Sequence, residues 1–161
     1  MSTGRRGIGL IFATFVAALV LTLVPMPDWS RLLRPEWTLL VLTYWAMATP
    51  DRVGVGVAWL LGLFQDVAVG TLLGQHALTF ALVTYVVLRL HPRLRIYPVW
   101  QQAVSLLVLV ALHLLVTRWI MGFTGNAPET LWFWAPAATS AVLWPLIFVF
   151  LRRLRRRYRI A

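Results

Sequence analysis

The chain has 161 residues, of which 60% are hydrophobic and only 12% are charged, and it carries a formal net charge of +10. A chain this short cannot bury so much apolar surface in one soluble core, so the composition excludes an ordinary soluble domain and indicates an integral membrane protein. The sequence contains no cysteine, which excludes disulfide and thiolate chemistry.

Long apolar runs follow one another along the chain and are separated by clusters of Pro, Gly and Arg. Most approach the roughly 20 residues that a helix needs to cross a bilayer. The runs predict an all-α polytopic membrane protein with a six-helix transmembrane domain at residues 1–151 and a basic tail at residues 152–161. The predicted helices are Gly7 to Val24, Trp37 to Thr49, Val53 to Val69, Gln75 to Leu90, Val99 to Met121 and Leu131 to Leu151.

The basic residues predict the orientation of these helices. All 15 Lys or Arg residues are arginines, and 12 of them fall on the cytoplasmic side if the N-terminus is inside. Only Arg31, Arg34 and Arg118 fall on or near the outer side. The positive-inside rule therefore favours an even number of spans with both termini in the cytoplasm. The cytoplasmic set is Arg5, Arg6, Arg52, Arg89, Arg93, Arg95, Arg152, Arg153, Arg155, Arg156, Arg157 and Arg159.

Two basic stretches are candidate contact surfaces. The first is the loop with Arg89, Arg93 and Arg95, and the second is the tail with Arg152, Arg153, Arg155, Arg156, Arg157 and Arg159. Such charge beside a helix end suits anionic lipid headgroups at about 1 kcal/mol per residue, and it equally suits a topology anchor or a cytoplasmic filament. Nucleic acid is not an expected partner, because the charge lies where a cytoplasmic membrane flank carries it.

A ladder of small residues leads to one carboxylate in the third predicted helix. Small residues at every fourth position allow a neighbouring helix to approach closely. We therefore expect Asp66 to face a packed helix, since a carboxylate at the centre of a membrane helix costs roughly 3 kcal/mol and needs a partner. The ladder consists of Gly54, Ala58, Gly62, Asp66, Gly70 and Gly74.

The partner of Asp66 has four candidates, which are His113, Arg118, His76 and Gln65. In one interpretation Asp66 only caps the turn from Gly70 to Gly74, and His113 only makes a hydrogen bond between helices. In the other, these polar groups line a partner interface or an outward-opening cavity.

Motifs for catalysis are absent from the sequence. It contains no cluster of metal ligands, no nucleophile beside a base, no carboxylate pair and no phosphate-binding loop. We expect no enzyme, no cofactor and no metal.

Three stretches of the chain together resemble the family of the rod shape-determining protein MreD, in its proteobacterial branch. The first is the run from Arg34 to Leu40, with Glu36 and Trp37 inside it, followed by Tyr44 and Trp45. The second is Gly54, Gly56, Gly62, Asp66, Gly70, Leu73, Gly74, His76, Ala77 and Leu78, and the third is Trp100, Gln101 and Gln102. In order and spacing, the resemblance covers nearly the whole chain.

The resemblance implies a non-catalytic component of the bacterial inner membrane that serves the peptidoglycan-synthesising elongation machinery. It implies MreC as the main partner, with MreB, RodA and a class B penicillin-binding transpeptidase in the same complex. The family's helices are similar to those of the substrate-binding subunits of energy-coupling-factor transporters, which implies a pocket. The alternative function is therefore a membrane protein that binds a small molecule or lipid precursor, or a transporter subunit.

Overall fold

The computed structural model describes residues 2–160, and these residues form six α-helices and two short 3-10 helices. The 3-10 helices, Asp28–Leu33 and Leu131–Trp134, precede the second and sixth α-helices. The α-helices are α1 (Ser2–Leu23), α2 (Trp37–Ala48), α3 (Val55–Val69), α4 (Gln75–Leu94), α5 (Val99–Phe123) and α6 (Ala135–Arg157).

The predicted positions of the helices are confirmed, with differences at their ends. Helix α1 begins before Gly7, and α4 continues beyond Leu90. Helix α6 continues through most of the basic tail, because arginine is a good helix former and does not end a helix. At its start, Leu131–Trp134 forms a separate 3-10 turn, and Pro136 lies in the first turn of α6, where its missing N–H costs nothing.

Three of the helices are long and apolar enough to cross a membrane. They are α1 from Gly4 to Leu23, α5, and the segment Leu131–Arg157 that contains α6. Helices α2 and α3 are apolar but have only 12 and 15 residues, fewer than the roughly 20 of a full crossing. The chain is thus a helical membrane protein.

Helix α2 forms the centre of the bundle. Ten of its residues, from Thr38 to Met47, are buried, which explains why its sequence is apolar on every side. Helices α1, α4 and α6 pack around it, while α3 packs mainly on α4 and α5 packs on α4 and α6. Hydrogen bonds from the Trp45 indole to Thr14 and between Thr22 and Thr38 join α2 to α1.

The bundle has two chemically different ends. At one end, which we call the arginine end, the side chains of Arg95, Arg152 and Arg155 surround the C-terminus of α2, and Arg52 packs beside Gly7 and Ile160. At the other, the carboxylate end, lie Glu36, Asp66 and the turn between α3 and α4. Successive helices therefore run in opposite directions.

Helices α3 and α4 approach each other closely at Gly62. A Cβ atom added there would lie 2.4 Å from both the Cα and the backbone nitrogen of Ala77, and 2.6 Å from the carbonyl carbon of His76. Side chains cannot relieve such a clash, since the atoms in contact belong to the α4 backbone. The absence of a side chain at Gly62 thus allows α3 and α4 to pack backbone against backbone.

Only half of the predicted ladder lies within α3 and packs inside the protein. Ala58, Gly62 and Asp66 form the buried stripe that was predicted. Gly54 precedes α3 and has no neighbour within 4 Å of an added Cβ. Gly70 and Gly74 lie beyond the end of α3, with φ of 79° and 100°, so their spacing reflects left-handed turn positions and not helix packing.

We expect Gly62→Ala to destabilise the protein by about 1–3 kcal/mol, because the added methyl group meets a backbone that cannot move cheaply. Thermal unfolding of the purified protein in detergent measures the loss. Gly56→Ala is the matched control, since Gly56 is exposed on the same helix with open space around it. Equal melting temperatures for the two variants would contradict the close approach.

Candidate functional site

The Asp66 carboxylate caps the N-terminus of α4. Its Oδ2 atom accepts hydrogen bonds from the backbone N–H of Gly74 at 2.9 Å and of Ala77 at 3.4 Å, and its Oδ1 atom accepts one from the N–H of His76 at 2.9 Å. These amides have no partner within their own helix. A negative charge at this position also interacts favourably with the positive end of the α4 dipole.

Two side chains complete the shell around Asp66. The Thr71 hydroxyl donates to Oδ1 at 2.8 Å, and His76 Nδ1 lies 2.7 Å from the same oxygen. Since a carboxylate only accepts hydrogen bonds, His76 carries a proton on Nδ1 when Asp66 is ionised. Asp66 is 1% exposed, and its burial is thus matched by five donors.

A second carboxylate approaches the same region from the start of α2. The Glu36 side chain lies 3.7 Å from Nε2 of His113 in α5. The backbone N–H of Glu36 donates to the hydroxyl of Ser140 in α6 at 3.0 Å, and Ser140 is fully buried. Glu36 therefore joins α2 to both α5 and α6.

Three aromatic rings, which pack edge-on or tilted against one another, connect the two carboxylates. The rings of His76 and His113 have centroids 5.8 Å apart, and Phe80 packs against both rings at 5.6 and 5.7 Å. The order Asp66, His76, His113, Glu36 thus forms a polar chain across the carboxylate end. Glu36 faces inward, so Asp66 shares this end of the bundle with a second carboxylate.

Arg34 makes the complementary cap at the end of α1. Its guanidinium donates to the carbonyl oxygens of Thr22 and Val24, and its Nε atom lies 3.4 Å from the sulfur of Met26. A cation at a helix C-terminus is favourable for the same reason as an anion at an N-terminus. The segment before α2 therefore ties α1 to the polar chain through Arg34 and Glu36.

The outward-opening cavity, one of the alternatives that the sequence left open, is not found at Asp66 among the cavities described within residues 2–160. Asp66, His113 and Gln65 are all buried among the described residues, and the cavities found among them are not lined by these side chains. Within residues 2–160, the Oε1 atom of Gln65 and the Nδ1 atom of His113 are buried without a hydrogen-bond partner. Helix packing, and not an opening, surrounds the cluster.

Some of the predicted basic residues line cavities, and Arg93, Arg95 and Arg152 among them are also exposed. Arg95, Arg152 and Arg155 line a cavity of about 360 Å³ at the arginine end, while Arg93 lines a neighbouring cavity. Arg89 lies over the Tyr85 ring at 5.3 Å. The remaining members of the tail are exposed, namely Arg153, Arg156, Arg157 and Arg159.

Comparison with known proteins decides the family. The family model described as rod shape-determining protein MreD matches residues 4–154, which include the polar chain and all the residues that line the cavity at the arginine end except Arg155. The chain belongs to the MreD family. Rod shape-determining protein MreD of Haemophilus influenzae is 34% identical over 154 residues, which cover 93% of this chain and 93% of that protein. No solved structure matches the chain.

Membership in the MreD family supports a role in cell shape, and it confirms the resemblance seen in the sequence. Two residues of the cluster, Glu36 and Arg34, were not predicted as site residues. The sequence did contain an indication of their role, because two opposite charges directly before an apolar helix need partners inside the protein. What the sequence could not show is that the partners are a helix end and His113.

We expect Asp66→Asn to destabilise the protein by about 1–3 kcal/mol. The asparagine side chain has one oxygen that can accept hydrogen bonds, but its NH₂ group would face backbone N–H groups, which would lose their acceptor. Chemical or thermal unfolding in detergent measures the change. Asp28→Asn is the control, since the Asp28 carboxylate is exposed and pairs only with the exposed Arg31 at 3.2 Å. The capping role would be refuted if both variants unfolded like the wild type.

Proposed function

We propose that this MreD-family protein is a non-catalytic, multi-pass component of the bacterial inner membrane that holds partners of the cell-elongation machinery. MreC is the proposed main partner, and MreB, RodA and a class B penicillin-binding transpeptidase are proposed members of the same complex. The observation that carries the proposal is that helices and short connections make up residues 2–160. Contacts with other proteins must therefore use helix faces and loops.

We propose six crossings with both termini in the cytoplasm. The arginine end would then face the cytoplasm, and the carboxylate end would lie toward the outer side. The short helices α2 and α3 would complete their crossings with the connected segments before and after them. The similarity to the energy-coupling-factor subunits stays a prediction.

The small-residue stripe of α3 is already used inside the protein. Gly62 packs on the backbone of Ala77, and Asp66 is bonded to the start of α4. A partner helix could reach these residues only if α3 and α4 separated. Their proposed contribution to partner binding is therefore indirect, through the position of α4.

A groove between α1 and α6 offers a better interface for one membrane helix. Helices α1 and α6 both pack on α2, and the groove between them is almost entirely apolar. Along α1, Gly9, Ala13 and Ala17 are exposed at four-residue spacing, which favours close approach of a helix. The groove is lined by Thr14, Ala17, Ala18, Leu21, Trp37, Val41, Ile147, Phe150 and Leu151.

We expect a photoreactive residue at position 17 or 147 to crosslink to MreC in living cells, because both positions line this groove. Position 78 is the control, since Leu78 is exposed on α4 and away from the groove. Immunoblots for MreC measure the adducts. Adducts from position 78 with none from 17 or 147 would place the interface on another face.

The alternative function, binding of a small molecule or lipid precursor or a role as a transporter subunit, has no cavity at Asp66 to support it. The feature that favours ligand binding is the arginine-lined cavity at the arginine end.

A further inference from the structure

The largest concentration of arginine around a cavity occurs where the C-termini of α2 and α6 meet the connection between α4 and α5. The cavity has a volume of about 360 Å³, enough for a phosphate-bearing headgroup. Arg95 enters it from the connection, and Arg152 and Arg155 enter it from α6. Aromatic and apolar side chains form the rest of the wall, including Tyr44, Met47, Tyr97 and Phe148.

Gln102 holds the wall of this cavity in place. Its side-chain nitrogen donates to the carbonyl oxygens of Leu94 at 2.9 Å and of Tyr97 at 3.3 Å. Its Oε1 atom accepts a hydrogen bond from the Trp144 indole at 3.3 Å. Because the side chain of Gln102 is buried and bonded on both sides, it fixes α4, α5 and α6 around an open space.

Among the described residues, the arginines of the cavity have no carboxylate partner. Within residues 2–160 no carboxylate lies at ion-pair distance from Arg95, Arg152 or Arg155. The Arg155 Nε atom donates to the carbonyl of Ile160 at 3.2 Å, and the Arg152 guanidinium lies 5.9 Å from the centre of the Phe148 ring. Three like charges around one space repel one another, and a bound anion would relieve that repulsion.

An apolar groove begins at the edge of the same cavity. It has a volume of about 310 Å³, lies between α4 and α5, and shares Tyr97 with the arginine-lined cavity. Its wall is formed by Val86, Leu90, Arg93, Leu94, Ser105, Val108, Leu109 and Leu112. The two spaces together have the pattern of a phospholipid, with a charged compartment followed by a hydrocarbon one.

We propose that this composite site binds one anionic phospholipid, with its phosphate between Arg95, Arg152 and Arg155 and an acyl chain in the groove between α4 and α5. Arginine suits the phosphate because its planar guanidinium donates two parallel hydrogen bonds to phosphate oxygens. The proposal does not depend on MreC binding. Free phosphate has the same headgroup chemistry, but it would leave the apolar groove unoccupied.

The first test measures retained lipid. The full chain is reconstituted in nanodiscs of phosphatidylcholine and phosphatidylglycerol, extracted in neutral detergent, and weighed by native mass spectrometry. We expect one retained phosphatidylglycerol in the wild type. Arg95→Gln combined with Arg152→Gln should lower the retention about 30-fold, since two charges at about 1 kcal/mol each are lost.

The matched control is Arg153→Gln combined with Arg157→Gln, which removes the same charge from exposed positions outside the cavity. We expect retention within about twofold of the wild type, because these charges act only through the screened surface potential. Equal losses in both double variants, or equal retention of the two lipids by the wild type, would overturn the proposal. Melting temperatures of each variant verify that it is folded.

The acyl-chain compartment is tested separately. Ser105→Phe fills the groove, and we expect it to lower phosphatidylglycerol retention. Leu107→Phe adds an aromatic ring on the same helix outside the groove and should leave retention unchanged. Inorganic phosphate is added to delipidated protein as the second ligand. If phosphate raises the melting temperature and Ser105→Phe has no effect on lipid retention, the lipid assignment is wrong.

Discussion

The fold depends on one carboxylate that satisfies the first turn of a helix from outside that helix. Asp66 accepts hydrogen bonds from three backbone amides of the α4 start and from two side chains. In an apolar environment each of those amides would otherwise cost free energy comparable to a lost hydrogen bond. The arrangement requires α3 and α4 to touch, and Gly62 makes that contact sterically allowed.

Because Asp66 fixes α4, it also fixes the ring of His76 against His113, and through His113 the position of Glu36. Polar groups at the carboxylate end are therefore used to join helices to one another. The arginine end differs, since its cavity is held open by Gln102 and its guanidinium groups lack carboxylate partners within residues 2–160. We infer that the polar groups of the carboxylate end hold the helices together, whereas the arginine end binds a ligand from outside the protein.

Sequence reasoning predicted the helices because apolar runs and breaking residues are local signals. It also predicted that Asp66 faces a packed helix and named His76 among the candidate partners. It counted Gly70 and Gly74 in the helix-packing ladder, since four-residue spacing cannot distinguish a helix stripe from left-handed turn residues, but its other interpretation, in which Asp66 caps the turn from Gly70 to Gly74, is confirmed. It missed the inward direction of Glu36, because only the three-dimensional arrangement that brings His113 of α5 and Ser140 of α6 beside Glu36 reveals it.

Hydrogen–deuterium exchange of the full chain in detergent tests the central role of Asp66 most directly. The amides of Gly74, His76 and Ala77 lie at a helix start, where backbone N–H groups ordinarily exchange fast. The cap predicts slow exchange at these three positions compared with the amides of Ala127 and Glu129 in the loop between α5 and α6. Exchange at these amides as fast as in that loop would contradict the account.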